Sequence, residues 1–225
     1  MTIKKLNLDE DKARVAKLYK FENDALDEGY KFIAGVDEAG RGSLIGPVIV
    51  GAVILPPNLY LEKLNDSKKL SPKIREKLYD EIISNAVSVA SVAVSADEID
   101  TLNVYQATLQ GMIRAVNCLT IQPDFVLTDA MRPQFNNKIK SRALIHGDSL
   151  SASIAAASII AKVTRDRLAQ DWGKDFPGYG FEKNSGYGTR EHLAAIEKIG
   201  FTPIHRKTFE PVKGMIRQKF QPSLF

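Results

Sequence analysis

The chain has 225 residues, 44% of them apolar, which is enough for one large domain with a core of its own. A single cysteine, Cys118, excludes an internal disulfide, and the apolar stretches are too short and interrupted to cross a bilayer. No apolar leader opens the chain, so a monomer in a reducing cytoplasm is expected, without a membrane. The net charge of +4 and a pI near 9.0 suit a polyanionic partner without proving one. Five basic residues (Arg206, Lys207, Lys213, Arg217, Lys219) against one acid, Glu210, concentrate positive charge in residues 201–225.

In chain order, residues 8–28 read as one amphipathic helix. Val15, Leu18, Tyr19 and Leu26 lie near one face, and Gly29 stops it. Lys31–Asp37 reads as a strand. Pro47–Leu55 is an apolar run rich in β-branched residues, a buried strand ended by Pro56-Pro57. Ser71-Pro72 opens a helix to about Ser84, with an N-cap followed by proline at the first helical position. Val87, Val89, Val92 and Val94 suggest a third strand, and Ala96–Leu119 is mostly helical. Asp124–Asp129 and Arg142–His146 read as short strands. Ser149–Asp171 is a long alanine- and isoleucine-rich helix. Thr189 caps a further helix through Ile199, and the remainder is irregular or weakly helical. Strands first and βα units later imply an α/β fold with a mixed sheet flanked by helices, not a regular βαβ alternation.

The richest stretch is Gly35-Val36-Asp37-Glu38-Ala39-Gly40-Arg41-Gly42. Two acids end an apolar strand and run into a Gly-Arg-Gly turn. Asp129 and Asp148 also lie near strand ends, where a sheet fixes positions. If those strands are neighbours, the four carboxylates converge and repel one another, and a divalent cation relieves that repulsion. Hard oxygen ligands without His or Cys partners favour Mg²⁺ or Mn²⁺ over zinc. Taken singly, each acid reads more readily as a helix cap or a solvated group, and Asp148 as a helix N-cap. Adjacent strand residues point to opposite faces, so Asp37 and Glu38 share one cation only if the strand ends or bulges there. The Ala-Gly-Arg-Gly that follows suits such a break.

Gly40–Gly46 is not a dinucleotide fingerprint. GxGxxG needs glycine at position 45, where Ile45 stands, and the motif should open a helix rather than meet Pro47. No Walker-type loop occurs elsewhere in the chain.

These residues, with Ile45-Gly46-Pro47-Val48, resemble the opening signature of the ribonuclease HII family, the type 2 ribonucleases H. The likeness continues in Asn65-Asp66-Ser67-Lys68-Lys69-Leu70-Ser71, in Asp129, and in Gly147-Asp148-Ser149 leading to Ala155–Asp166. It ends in Gly186-Tyr187-Gly188-Thr189 and Thr202–Arg206, spanning roughly residues 30–210 in order. The resemblance implies an RNase H-like fold over residues 31–195. It leaves an accessory helix at 1–30 and a helical C-terminal extension at 196–225. It also implies an endonuclease dependent on Mg²⁺ or Mn²⁺ that cuts the RNA strand of RNA–DNA hybrids, or 5′ of a single ribonucleotide in duplex DNA. By the same resemblance Asp37, Glu38, Asp129 and Asp148 are the metal-binding and catalytic carboxylates. Gly40, Arg41 and Gly42 read the 2′-hydroxyl at the RNA–DNA junction, and Tyr187 packs on the neighbouring sugar. The intact Gly-Arg-Gly favours type 2 over type 3 enzymes. Ser43 and Ile45 stand where the family commonly has proline and alanine, which affects local packing rather than the ligand set.

Lys162, a cation on an otherwise apolar helix, is a candidate phosphate contact. Lys68 and Lys69 read equally as phosphate contacts or solvated lysines. His146, His192 and His205 are dispersed, without ligand spacing, and read as structural; Trp172 reads as core. The last five residues, with Gln221, Leu224 and Phe225, resemble the peptide by which bacterial replication proteins dock on the sliding clamp, with Pro222 in place of the usual leucine. Two rivals remain at this point: another RNase H-fold nuclease that cuts all-DNA duplexes, and a nucleic-acid-binding module with inert acids.

Overall fold

The computed structural model describes residues 7–136 and 138–220. Five strands form one mixed sheet: β1 (Ile33–Ala39), β2 (Val48–Ile54), β3 (Ser88–Val94), β4 (Phe125–Asp129) and β5 (Lys140–Leu144), in spatial order β3-β2-β1-β4-β5. The β1-β2 and β2-β3 pairs are antiparallel, while β1-β4 and β4-β5 are parallel. Every residue of β2 is buried, so its continuous apolar run belongs to a strand covered on both faces.

Helices α1 (Leu8–Leu18), α2 (Lys20–Asp27), α3 (Pro72–Asn85) and α6 (Ala152–Asp175) cover one face of the sheet. Helices α4 (Ala96–Leu102) and α5 (Val104–Asn117) cover the other. The chain finishes with a short α7 (Phe181–Asn184), α8 (Arg190–Ile199) and α9 (Val212–Phe220). The first half of α6 is apolar all round because it is buried all round, lying across β1 and β2. Gly35 makes that approach possible: a Cβ there would sit 2.0 Å from the Ser153 carbonyl carbon. Among the described residues, no helix is long and apolar enough to cross a membrane.

Several boundaries depart from the sequence reading. The helix expected over 8–28 breaks at Tyr19, whose N–H bonds to Ala16 O and whose buried hydroxyl donates to Leu59 O at 2.8 Å. The helix expected over 96–119 breaks at Asn103, which adopts φ 68° and caps α5 by accepting from the amides of Tyr105 and Gln106. The last strand runs two residues earlier than expected, because His146 turns into the left-handed region. The long helix begins at Ala152, capped by Ser151, so Asp148 is not its N-cap. In the stretch from Phe201, expected to be irregular or weakly helical, residues 201–211 are irregular and Val212–Phe220 form α9. The expected caps Ser71 and Thr189 accept from Ile74 N–H and His192 N–H.

Candidate active site

Parallel pairing sets the positions of two acids. Val36 pairs with Thr128, so Asp37 and Asp129 are the next residues on adjoining strands, at the sheet's carboxyl edge. Asp148 arrives from the far side of β4 in a 3₁₀ turn over Gly147–Ser149, just after β5. The turn is tied back by a 2.7 Å bond from Gly147 N–H to Asp129 Oδ1. One carboxylate oxygen each from Asp37, Asp129 and Asp148 lies within 4.8 Å of the other two.

Crowding of like charges out of water has the expected consequence. Burial raises the Asp37 carboxyl well above the usual carboxylate range, and the charges of Glu38 and Asp129 add to that. Burial likewise raises Asp148, followed by the charges of Asp66 and Asp129. The Lys68 ammonium stands 3.6 Å from Asp148 Oδ2. Burial works against the Lys68 charge, but Asp37, Asp148, Asp66 and Asp129 together outweigh it and raise this lysine. An all-oxygen set of mutually repelling acids, Asp37 and Asp148 buried and Asp129 half-buried, fits a hard divalent cation such as Mg²⁺ or Mn²⁺.

Glu38 does not join the three aspartates. The strand break expected at Asp37 is absent: β1 continues to Ala39, still paired with β2 through Ala39 and Ile49. Alternation along the strand therefore separates the two side chains. Glu38 Oε1 accepts from Arg41 Nη1 at 3.3 Å, while its buried Oε2 has no hydrogen-bond partner. Burial raises the Glu38 carboxyl, Arg41 opposes that, and the charge of Asp129 still reaches it.

The Gly40–Gly46 segment follows directly and is held from below. Its backbone is clasped between two later segments: Leu44 N–H bonds Gly186 O, Gly46 N–H bonds Ile204 O, and Arg206 N–H bonds Leu44 O. Isolated bridges pair Ser43 with Tyr187 and Ile45 with His205. Ser43 and Ile45 are fully buried, and Ser43 Oγ donates to Ile45 O and Ser185 O. Residues on both sides of position 195 thus meet one loop.

Two buried arginines complete the cradle. Arg206 donates from Nε to Gly46 O at 3.0 Å, from Nη1 to Arg41 O at 2.8 Å and from Nη2 to Gly40 O at 2.8 Å. Arg165 donates from Nη2 to Ile45 O and Ser185 O and stacks on Trp172. Neither forms a salt bridge among the described residues. Burial lowers Arg165, and it lowers Arg206 to about 9, with Arg165 itself adding to the effect. Gly40 adopts φ 94°, and a Cβ there would lie 2.1 Å from Arg165 Nε, so only glycine fits.

Tyr187 is 40% exposed, and its ring faces Gly42, where a Cβ would lie 3.8 Å from Cε1. Its carbonyl is held by a histidine pair. His205 Nδ1 accepts from Thr202 N–H, so the His205 proton is on Nε2. That proton is donated to His192 Nε2 at 3.1 Å, which places the His192 proton on Nδ1, 3.0 Å from Tyr187 O. Burial lowers both rings, His205 to about 4 with the His192 charge contributing. The histidines expected to be dispersed include a buried, contacting pair.

Lys162 stands apart from the carboxylates. It pairs with Asp166 and lines a surface groove of about 340 Å³ with Arg75, Arg167, Lys183 and Ser185. Lys69 donates to Ser149 Oγ at 2.8 Å. Asp66, within the Asn65–Ser71 stretch, lies close enough for its charge to raise Asp148. Trp172 is half-buried against the cluster of Leu44, Ile45 and Phe181. Gln221, Leu224 and Phe225 lie outside the described residues.

The ribonuclease HII family profile matches residues 34–212. A ribonuclease HII of Enterococcus faecalis is 52% identical over 200 residues, 89% of this chain and 78% of that protein. One of Bacillus cytotoxicus is 48% identical over 215 residues, 96% of this chain and 82% of that protein. The crystal structure of the ribonuclease H2 from Pyrococcus horikoshii superposes with a TM-score of 0.72 at 28% identity, covering 84% of this chain and 98% of that one.

Proposed function

Because the chain belongs to the ribonuclease HII family, we propose that it is an endoribonuclease cutting the RNA strand of RNA–DNA hybrids and 5′ of single ribonucleotides embedded in duplex DNA. The products carry 3′-hydroxyl and 5′-phosphate ends. One observation carries this reading: a three-carboxylate cluster and a clasped Gly-Arg-Gly turn with Tyr187 beside it meet on one continuous segment, Asp37–Gly46.

In this reading Asp37, Asp129 and Asp148 hold Mg²⁺ or Mn²⁺. When bound there, such ions lower the pKa of water and stabilise the leaving oxygen of a phosphodiester. Glu38 lies outside that group of three, yet its buried Oε2 has no hydrogen-bond partner and its charge acts on Asp37; in this reading it is the fourth carboxylate that serves the cation. The Gly40–Gly42 backbone has its carbonyls drawn inward by Arg206, which leaves the outer side of the turn to approach a sugar edge. A 2′-hydroxyl is the group that separates RNA from DNA at such an approach. Tyr187, exposed against Gly42, packs on that sugar. Lys162 reaches a more distant phosphate, in the groove it lines. The tail at residues 221–225 docks on the sliding clamp, a reading that rests on its sequence alone.

The test is a cleavage assay with and without Mg²⁺ or Mn²⁺ on two duplexes, one all DNA and one bearing a single ribonucleotide. The expected result is metal-dependent cutting 5′ of the ribonucleotide and an intact DNA duplex. Equal cutting of both duplexes would contradict the proposal.

A further inference from the structure

Residues 1–30 acquire no role from the site chemistry, yet α1 and α2 reach both segments that converge on Asp148. Glu22 of α2 is 5% exposed. Its Oε1 accepts from Ser151 Oγ at 2.5 Å, from Ser153 N–H at 2.9 Å, and from the Ser153 hydroxyl. Ser151 is the N-cap of α6, and its own N–H closes onto Gly147 O at 2.8 Å. The Gly147–Ser151 turn carrying Asp148 is therefore pinned at both ends, by Asp129 at Gly147 and by Glu22 at Ser151 and Ser153.

The other helix holds the other segment. Asp11 of α1 accepts from Lys63 N–H at 2.8 Å and from the Tyr60 hydroxyl at 2.9 Å, and Arg14 donates to Leu64 O at 2.8 Å. Those bonds secure the stretch that leads into Asp66 and Lys68, the residues facing Asp148. Val15, Leu18 and Tyr19 anchor the helix in the core shared with α3 and α6, so the brace rests on a rigid body.

We infer that the N-terminal helices are a brace for the carboxylate cluster, and that Glu22 is a positioning residue that sets Asp148 for cation binding. The inference rests on the proposed metal site. Glu22 reaches Asp148 through Ser151 and the Gly147 carbonyl, so it acts by restricting where the turn holds that ligand. Loss of a group bonded directly to a ligand typically weakens metal affinity about 10- to 100-fold, and a brace one step further out is expected at the low end of that range. A helix that merely adds stability would leave that affinity alone.

The test is Mn²⁺ binding to the full chain by titration calorimetry, with no substrate and no turnover, beside a thermal melt of each variant. Glu22→Ala is expected to weaken Mn²⁺ binding about tenfold, whereas Glu22→Gln, which keeps an acceptor for the serines, stays within about threefold. Ser153→Ala removes one of the three hydrogen bonds to Glu22 Oε1, the hydroxyl's, and keeps the backbone N–H bond, and so gives a smaller loss in the same direction if Glu22→Ala does not fold. Wild-type Mn²⁺ affinity in folded Glu22→Ala, or in Ser153→Ala where that variant must stand in, would overturn the brace. Asp129→Asn separates the two claims: it should abolish binding, and if it binds Mn²⁺ as the wild type does, the metal site itself is wrong and the brace falls with it.

Discussion

On one side of the Asp37–Gly46 segment three carboxylates face one another and, among the described residues, the exposed Lys68 is the basic side chain that pairs with them. On the other, the guanidiniums of Arg165 and Arg206 are buried without a carboxylate partner. Each arrangement is costly in a low-dielectric interior, and each is resolved differently. Arg206 is satisfied by three hydrogen bonds to backbone carbonyls of one loop, and Arg165 gives two more from Nη2 while its buried Nε and Nη1 have no hydrogen-bond partner, so that half is closed onto the loop chiefly through Arg206. The aspartates have few internal partners, and burial raises Asp37 and Asp148, so that half is left open to a cation. The difference separates a scaffold that presents a surface from a site that waits for a ligand.

The largest expected effect is on the open half. Asp129→Asn should lower cleavage by at least about 100-fold while duplex binding survives, because the lost charge acts on the transition state. Comparable loss of binding and cutting in a gel-shift and cleavage pair would blur the division. On the closed half, Arg206→Met takes a donor from three carbonyls, of which Gly40 O keeps Ser43 N–H, and should lower unfolding stability by about 3 kcal/mol. Urea denaturation reads this directly, and a change below about 0.5 kcal/mol would mean that the cradle contributes little. The smallest effect is a titration. The His192–His205 bond needs both rings neutral, so the His205 ring should titrate near 4 by NMR. The sign follows from depressed values. The pair's contribution to stability is whole above the ordinary histidine value of about 6.5 and is lost as pH falls toward 4, where the unfolded chain takes up protons that the folded one refuses. A His205 ring titrating near 6.5 would contradict the chain of donors drawn through it.

The same two halves differ in how far the sequence discloses them. Asp37 and Asp129 were legible because each ends an apolar strand, and a parallel sheet brings such ends together; Asp148 follows the largely exposed β5 and was legible only as an acid after a strand end. That Glu38 stays outside was not: whether β1 stops at Asp37 or runs to Ala39 depends on its pairing with β2, which local composition does not reveal. The cradle was harder still. Arg206 meets a carbonyl 166 positions earlier, and the two histidines meet across a helix and a loop. Such contacts leave no periodicity, and an arginine inside an alanine-rich helix was the only local sign. Glu22 reads as a polar position on an amphipathic helix until the start of α6 lies against it. The mixed sheet, by contrast, followed from apolar runs and their breakers, with errors at helix breaks where one residue, Tyr19 or Asn103, turns the chain.

The division between cutting and choosing is tested most directly by single-turnover cleavage of two substrates, an RNA–DNA hybrid and a duplex with one ribonucleotide. Asp129→Asn should slow both by the same large factor. Tyr187→Ala, at a side chain 40% exposed and thus tolerated by the fold, should slow the single-ribonucleotide duplex about tenfold more than the hybrid, the loss of one well-placed packing contact. An unchanged ratio of the two rates in Tyr187→Ala would contradict the account.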